Sequence, residues 1–348
     1  MIIIDGIIFS LQKHGGISTY FTHLCRALNL AHLETEILLY DESALKKEFS
    51  TGVLYEKRFL ERFRSINIPS TYSNNCILHS SYYRSAVNNN VKNIITIYDF
   101  IYEKYESNYL KKNIHLLQKK QAVKKASAII CISESTKKDF LKYYPDYNPD
   151  LVFVTYLAHS SESVQFSPDF NFEKKFENPY VLFVGMRSAH KNFNNCVNAL
   201  KNVNVYLKIV GGGPLSELET KLLEANVAGR YQHLTNVDND SLNKLYGDAI
   251  CLFYPSLYEG FGLPILEAQA NGCAVITTNA SSLPEVAEES AILLNTPNAQ
   301  SLEEAVSTLL NEQTNKFYVE QGFININRFD WAKTAKETIE IYNKIETL

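Results

Sequence analysis

The chain has 348 residues, more than one hydrophobic core usually organises, so two domains are the first expectation. Apolar residues make up 45% and charged residues 21%, which excludes disordered and collagen-like chains. The net charge of −4 argues against a nucleic-acid-binding protein, which usually presents a strongly basic face.

The cysteines and the first residues indicate the compartment. Six cysteines are spread singly, without a C-x-x-C pair, so reduced thiols are predicted. The opening MIIIDGIIFSLQKHGG lacks a basic leader and carries Asp5 within its apolar stretch, so it predicts a buried strand and not a signal peptide. No apolar run approaches the roughly 20 residues that span a bilayer. A cytoplasmic protein, soluble or peripheral on the inner membrane, is therefore expected.

In the first half, short apolar runs are each followed by an amphipathic stretch. The pairs are MIIID with TYFTHLCRALNL, NIITIYD with a long basic helical pattern, and SAIICIS with ESTKKDFLKYY. Strands without polar alternation, interleaved with helices, favour a parallel sheet covered on both faces. Residues 1–168 are thus predicted to form an N-terminal Rossmann-like domain.

The segment FSPDFNFEKKFENPY, residues 166–180, is interpreted as a linker, after which the alternation restarts. Five strand candidates follow: PYVLFVG, VYLKIVGGG, RYQHLTNV, AICLFYPS and AVITTN. Residues 169–326 are predicted to form a second doubly wound domain. The stretch FDWAKTAKETIEIYNKIE predicts an amphipathic helix whose apolar face holds Phe329, Ala332, Ala335, Ile339 and Tyr342. The fold class is α/β, with two doubly wound parallel-sheet domains.

The most specific pattern is EGFGLPILEAQANGCAVITTN, residues 259–279. Gly260 and Gly262 let the backbone approach a ligand closely, and Pro264 suits the first turn of a helix. Free backbone N–H groups and a positive helix end would then favour a phosphate. The carboxylates of Glu259 and Glu267 can accept hydrogen bonds from sugar and ribose hydroxyls. The alternative is an ordinary helix-capping loop.

This segment resembles the E-x7-E motif of family 4 glycosyltransferases, which are retaining enzymes of the GT-B fold. Other landmarks of that family occur in order: GGISTY (15–20), IYDF (97–100), FVGMRSAHKNF (183–193) and IVGGGP (209–214). The resemblance covers nearly the whole chain and is looser between residues 40 and 75. It is greatest to bacterial surface-polysaccharide (O-antigen or capsule) members. It implies two Rossmann-like domains facing across a cleft, with residues 327–348 crossing back to the first.

Two cations follow the strand FVG, where ligands meet the carboxyl end of a strand in an open sheet. Arg187 and Lys191 would neutralise the departing diphosphate. The alternative is a solvated pair at a helix start. Many relatives have the arginine one position earlier, where this chain has Met186, so Lys191 is the safer assignment.

The triglycine in GGGP is neither the G-x-G-x-x-G fingerprint nor a P-loop, which disfavours NAD chemistry and ATP hydrolysis. The resemblance places it under the nucleotide, and the alternative is a tight turn. The full donor and nucleotide site that the resemblance implies consists of Gly15, Gly16, Gly185, Gly212, Gly213, Asn236, Val237, Gly260, Phe261, Gly262, Leu263 and Glu267.

Asp238-Asn239-Asp240 spells D-x-D, a metal-binding signature in other glycosyltransferases. It precedes a helical pattern, where Asp is expected as a cap, so capping is the favoured interpretation. The family resembled generally works without metal, since cationic side chains and a helix dipole do the ion's work. No metal site and no cofactor are expected.

The remaining assignments lie in the first half. Asp99 follows the strand NIITIY and is predicted to be catalytic together with Arg187, Lys191 and Glu259, whereas His79 and Tyr98 are placed on the acceptor side. A helix cap is the alternative for Asp99, and a satisfied polar core residue is the alternative for His79. The family more often has a histidine where this chain has Tyr98.

Two basic runs, residues 109–126 and 55–65, combine Lys and Arg with apolar residues on helical patterns. Such stretches can lie on anionic lipid headgroups, and solvated helix faces are the alternative.

The resemblance implies transfer of a hexose, mannose or a related sugar, from a nucleotide-diphosphate sugar to a saccharide or lipid-linked oligosaccharide. A GDP-sugar is ranked before a UDP-sugar. One alternative is a two-lobed epimerase or phosphorylase, although the former lacks the E-x7-E loop and the latter needs a pyridoxal-binding lysine and a far longer chain. A non-catalytic nucleotide-sugar-binding protein is another alternative, against which Glu259, Lys191 and Glu267 argue.

Overall fold

The computed structural model describes residues 1–12, 15–41, 52–69, 72, 76–159 and 173–348. The chain divides into unit 1, Met1–Leu157 with Asp330–Leu348, and unit 2, Ala158–Phe329. The predicted boundary between residues 168 and 169 lies outside the described residues.

Unit 1 is built on a parallel sheet. Its strands are β1 (Ile2–Asp5), β2 (Thr35–Leu39), β3 (Val53–Leu54), β4 (Ile77–Ser80), β5 (Lys92–Ile97), β6 (Ala126–Cys131) and β7 (Val152–Val154), in the order β3-β2-β1-β4-β5-β6-β7. Its helices before residue 158 are α1 (Ile8–Leu11), α2 (Gly16–Leu30), α3 (Ile101–Tyr105), α4 (Tyr109–Lys125) and α5 (Glu134–Tyr143). Every residue of β1 and β4 is buried, as expected of strands covered on both faces.

Unit 2 repeats this architecture. Its strands are β8 (Tyr180–Val184), β9 (Tyr206–Val210), β10 (Tyr231–Leu234), β11 (Cys251–Phe253), β12 (Ala274–Thr278) and β13 (Ile292–Leu294), in the order β10-β9-β8-β11-β12-β13 and all parallel. Its helices are α6 (Glu173–Glu177), α7 (Phe193–Ala199), α8 (Glu217–Val227), α9 (Asn239–Asp248), α10 (Leu263–Ala270), α11 (Leu283–Ala287), α12 (Ala299–Leu309) and α13 (Glu312–Ile326). The predicted fold class, two doubly wound parallel sheets, is confirmed.

The last helix, α14 (Trp331–Glu346), belongs to unit 1 and packs on α2. The Thr334 hydroxyl donates to the Tyr156 carbonyl at 2.6 Å. The buried face of α14 consists of Thr334, Ala335, Thr338, Ile341, Tyr342 and Ile345. The predicted face was wrong in part: Ala332 is exposed because it lies on the opposite side of the first turn.

Two local interpretations are wrong. Residues 55–65 do not form a helix, and only Glu61–Phe63 make a 3-10 turn, because the Glu61 carboxylate turns inward to pair with buried Arg84. The predicted linker ends early, because α6 packs into unit 2. Buried Lys175 of α6 donates to the carbonyls of Ala249 at 3.1 Å and Gly272 at 2.6 Å.

All six cysteines are buried free thiols. Within the described ranges, no helix combines the length and the apolar character that crossing a bilayer requires.

Candidate active site

The candidate site of unit 2 lies where its strand order reverses. Strands β8 and β11 are parallel neighbours, yet the chain runs outward from them in opposite directions, toward β9 and toward β12. Ligands of open α/β sheets bind at such a switch point, outside the carboxyl ends of the strands. Gly185 follows β8 and Tyr254 follows β11. The two loops are tied together, since the Leu257 N–H donates to the His190 carbonyl at 2.7 Å.

Lys191 and Glu259 meet at this edge. The Lys191 ammonium pairs with the Glu259 carboxylate and donates to the Tyr254 hydroxyl at 3.1 Å. Their side chains are only 15% and 10% exposed, so both are fixed rather than freely rotating. The structure thus brings together two of the predicted catalytic residues and adds Tyr254.

Two serines hold the loop that carries Glu259. The Glu259 N–H donates to Ser281 Oγ at 2.8 Å. The Ser282 hydroxyl contacts the carbonyls of Glu259 and Phe261 at 3.0 and 2.8 Å. These contacts come from the turn after β12, so that turn fixes the position of the Glu259 backbone relative to the sheet.

Gly262 caps the start of the predicted phosphate-binding helix. Its φ is 115°, which only glycine adopts easily, and a Cβ there would lie 3.0 Å from Leu283 Cδ2. Helix α10 begins at Leu263 with Pro264 in its first turn, as predicted. Phe261 is buried and packs edge-to-face on Phe329. The first residue of α10 thus lies four residues after Glu259.

The second carboxylate of the motif, Glu267, sits on α10 and is half-buried. Its Oε2 accepts a hydrogen bond from the buried Tyr246 hydroxyl at 3.0 Å. Burial raises the pKa of Glu267, and this hydrogen bond opposes the rise. Burial also raises the pKa of Tyr254, and the charges of Glu259 and Glu267 add to that effect. Both motif carboxylates therefore lie near the Tyr254 phenol.

Arg187 is engaged differently from the prediction. Its guanidinium, 3% exposed, pairs with Glu219 at 2.7 Å. It also donates to the carbonyls of Gly211 at 2.8 Å, Gly212 at 3.2 Å, Gly213 at 3.0 Å and Pro214 at 2.9 Å. These bonds hold the triglycine loop, and they do not join Arg187 to the Lys191–Glu259 pair. The geometry is that of a residue that shapes the triglycine loop.

The glycines at this edge differ in their surroundings. Gly212 has a φ of 78°, and a Cβ there would lie 2.4 Å from Arg187 Nη1. Nothing lies within 4 Å of the Cβ positions of Gly185 and Gly213, which leaves open space beside both. After β10, Asn236 is exposed with a φ of 55°, and Val237 is half-buried.

The D-x-D sequence acts as a helix cap. The Asp238 side chain accepts from the Ser241 N–H at 2.7 Å at the start of α9, which confirms the capping prediction. Over the part of the chain that the structure describes, no group of three or more His, Cys, Asp or Glu residues could hold a metal ion.

The candidates of unit 1 are more enclosed than expected. His79 is fully buried, and its ring nitrogens lie 2.6 Å from the Tyr342 hydroxyl and 2.7 Å from Thr96 Oγ1. Burial lowers its pKa to about 3. This geometry is the one that the alternative interpretation of His79, a satisfied polar core residue, expects. Tyr98 is also buried, edge-on to Tyr20.

Asp99 lies shortly after β5, and the N-terminal glycines lie at the start of α2. Asp99 Oδ1 accepts from the Ile101 N–H at 2.9 Å at the start of α3, as the capping alternative proposed. Gly15 precedes α2, and Gly16 is its first residue. A helix of 15 residues offers its positive end there.

A family model matches most of unit 2. The family model described as "Glycosyl transferases group 1" matches residues 167–328. The chain contains a glycosyl transferases group 1 domain. This group 1 domain occupies the same stretch as unit 2, including the loop of Glu259 and helix α10.

Two curated relatives align with about two thirds of the chain. O-antigen chain mannosyltransferase B of Escherichia coli is 26% identical over 67% of this chain and 64% of its own length. O-antigen chain mannosyltransferase RfbU of Salmonella typhimurium is 27% identical over 62% of this chain and 60% of its own. The chain thus spans less than two thirds of either relative.

A solved structure extends the likeness to the whole chain. HepE of Anabaena, in complex with UDP and glucose, has a TM-score of 0.70 and 16% identity, and the match covers 97% of this chain and 98% of HepE. The fold is the GT-B fold.

Within the group 1 domain, sequence patterns missed Tyr254, Tyr246 and the two serines of the turn 281–282. Tyr254 carried a usable signal, because it directly follows a buried strand at the switch point. The serines carried none, since they act through the backbone of a loop about 20 residues earlier in the sequence.

Proposed function

We propose that this protein is a retaining, metal-independent glycosyltransferase. It transfers a hexose, mannose or a related sugar, from a nucleotide-diphosphate sugar to a saccharide or lipid-linked saccharide of a surface polysaccharide. The observation that carries the proposal is the Lys191–Glu259–Tyr254 cluster beside the start of α10, at the switch point of a group 1 domain. Both curated relatives are named O-antigen mannosyltransferases, which supports the sugar and the pathway class.

In this proposal Lys191 stabilises the departing diphosphate. Negative charge grows on the leaving group as the glycosidic bond breaks, so a fixed ammonium and a helix N-terminus favour the transition state. Lys191 is already ordered by Glu259 and Tyr254, which lowers the entropic cost of presenting it. Glu259 and Glu267 are assigned to hydroxyls of the donor. A phosphate oxygen of the donor accepts the acceptor's proton on the same face.

Arg187 acts in this proposal by holding the triglycine loop beneath the nucleotide. We rank GDP-mannose or a related GDP-hexose before a UDP-hexose, on the names of the curated relatives. HepE, whose structure holds UDP and glucose, supports a nucleotide-sugar donor in general. The proposed location is the cytoplasm, with peripheral contact to the inner membrane where a lipid-linked acceptor resides.

The test is donor turnover by the purified protein. We expect release of the nucleoside diphosphate only when an acceptor is added, whereas an epimerase would convert the donor alone. Lys191→Ala should lower kcat/KM by roughly 10²–10³-fold, since loss of one such contact costs about 2.7–4 kcal/mol. Lys221→Ala is the matched control, because Lys221 is an exposed lysine of the same unit, paired only along its own helix with Glu217.

Equal rates for Lys191→Ala and the wild type would contradict the assignment of Lys191 to the active site.

Metal independence is tested separately: activity should persist in EDTA. Loss of activity that manganese or magnesium restores would contradict that part of the proposal.

A further inference from the structure

The Lys191–Glu259 pair of unit 2 already engages two charges that the proposed reaction would use. The Lys191 ammonium pairs with the Glu259 carboxylate, and both side chains are nearly buried. An ammonium has three N–H donors, and here a second one goes to the Tyr254 hydroxyl at 3.1 Å. Within the described ranges, neither Lys191 nor Glu259 has a second partner of opposite charge.

Anchored backbone on both sides holds this pair together. The loop after β8 that carries Lys191 is hydrogen-bonded to the loop after β11. Tyr254 is buried, its ring lies 4.8 Å from Lys191 Nζ, and its carbonyl accepts from the Thr277 hydroxyl of β12 at 2.8 Å. The Glu259 N–H is held by Ser281. Separation of the two charges therefore requires side-chain rotation, since their backbones are fixed.

A diphosphate alone would meet a cation that is already neutralised. Drawing Lys191 toward phosphate leaves the Glu259 carboxylate enclosed without a counter-charge, which costs free energy. Arg187 does not replace it, because its guanidinium is bonded to Glu219 and to the triglycine carbonyls. The negative phosphates would also approach the carboxylate itself. A ligand that carries only phosphates therefore gains little from this lysine.

The sugar of an intact donor changes this balance. Its hydroxyls can donate to the Glu259 carboxylate, and hydrogen bonds to an ionised acceptor are about twice as strong as neutral ones. The carboxylate then keeps partners when the ammonium turns to the diphosphate. The Tyr254 hydroxyl is a neutral acceptor, so it can hold Lys191 throughout this exchange. One ligand thus has to supply phosphate and sugar hydroxyls together.

We propose that the Lys191–Glu259 pair makes this site prefer an intact nucleotide-diphosphate sugar over the nucleoside diphosphate that remains after transfer. The inference rests on the proposed function, because it takes a nucleotide sugar as the donor. After transfer the sugar hydroxyls leave with the acceptor, and Glu259 pairs with Lys191 again. The hold on the spent nucleotide then weakens, so the pair favours product release.

Isothermal titration calorimetry without acceptor measures this preference. GDP and GDP-mannose are titrated into the full chain, and UDP and UDP-glucose form a second set. In one set the wild type should bind the nucleotide sugar more tightly than its nucleoside diphosphate. Glu259→Gln should bind that diphosphate about 10-fold more tightly than the wild type and lose the preference, since close charge pairs are strongly coupled. Glu217→Gln, at an exposed glutamate of the same unit that pairs with Lys221, is the matched control and should leave both affinities unchanged.

A second background separates competition for Lys191 from simple repulsion. If Glu259 acts by holding Lys191, Glu259→Gln should tighten diphosphate binding much less in a Lys191→Met protein than in the wild type. Equal tightening in both backgrounds would identify direct repulsion and overturn the proposal. Glu267→Gln removes the other carboxylate of the motif, which is bonded to Tyr246 and not to Lys191, and should give no tightening. Circular dichroism melts check that each variant folds.

The outcomes separate this inference from the proposed function. An unchanged or weaker diphosphate affinity in Glu259→Gln would overturn the inference even if the wild type transfers sugar. Tighter diphosphate binding by Glu259→Gln, with no sugar transfer by the wild type to any acceptor supplied, would support the role of the pair and contradict the proposed transfer. No binding of GDP or UDP by any of these proteins would overturn both.

Discussion

Acidification should weaken unit 1 through His79. The pKa of this imidazole is lowered to about 3 because burial penalises the imidazolium, whereas an unfolded histidine titrates near 6.5. Between these values the unfolded chain binds a proton that the folded chain does not. The free energy of unfolding therefore falls as pH falls through this window. At pH 5, about 1.5 pH units below 6.5, the loss is about 2 kcal/mol at 1.36 kcal/mol per unit.

The perturbation is His79→Gln, which removes the titrating group and keeps a polar side chain between Tyr342 and Thr96. Lost hydrogen bonding should cost roughly 1–3 kcal/mol at pH 8, where the imidazole is neutral in both the folded and the unfolded chain. The diagnostic quantity is the difference between wild type and variant, which should shrink by about 2 kcal/mol from pH 8 to pH 5. Taking a difference matters because burial also lowers the pKa of His115, to about 4, in both proteins.

Urea unfolding at several pH values measures this difference. Circular dichroism is read together with the fluorescence of Trp331, the chain's single tryptophan, which stacks on His23 in unit 1. His32→Asn, at an exposed histidine, is the control and should retain the wild-type slope. A His79→Gln protein whose pH dependence matched the wild type would refute the buried, neutral imidazole.

Three further outcomes are expected. Glu267→Gln should raise the melting temperature at pH 8. The pKa of Glu267 is higher in the folded than in the unfolded chain, so ionisation of this carboxyl lowers the free energy of unfolding as pH rises above the unfolded value, and glutamine removes that loss. The same variant should lower kcat/KM about 10²-fold. A lower melting temperature with full activity would contradict this. Arg187→Met should raise the KM for the donor more than it lowers kcat, whereas Lys191→Ala should do the reverse. Steady-state kinetics measure both constants, and an unchanged KM would contradict the role of Arg187 in holding the triglycine loop. Truncation after Asn327 should lower both the melting temperature and the activity. Loss of the buried face of α14 costs several kcal/mol of folding free energy, at about 25 cal/mol per Å² of apolar area. An unchanged melting temperature would show that α14 is dispensable.

The fold could be predicted where apolar runs are long. Strands such as β5 and β6 are six-residue, mostly buried runs, and the sequence pattern identified both. Strands β7 and β13 escaped prediction because each has three residues that are mostly half-buried, whereas the equally short β11 is fully buried and was predicted. Residues 55–65 have helical spacing, but the buried pairing of Glu61 with Arg84 outweighed local preference.

The site was predictable where backbone chemistry dictates residue type. Gly262 and Pro264 marked the start of α10, and Asp238 marked the cap of α9. The role of Arg187 was not readable, because its partners are backbone carbonyls 24 to 27 residues away. The buried environment of His79 was not readable for the same reason, since its partner Tyr342 lies 263 residues later.

That separation has a consequence for synthesis. Unit 2 is one continuous stretch of chain, but unit 1 needs α14, which the ribosome makes after unit 2. The hydrogen bond from Lys92 Nζ to the Ile345 carbonyl, at 2.7 Å, likewise spans 253 residues. Closing such long loops is slow, so unit 2 should complete its fold first, although it begins later in the sequence. Until then, the apolar surface of α2 that α14 covers stays exposed to solvent on the nascent protein.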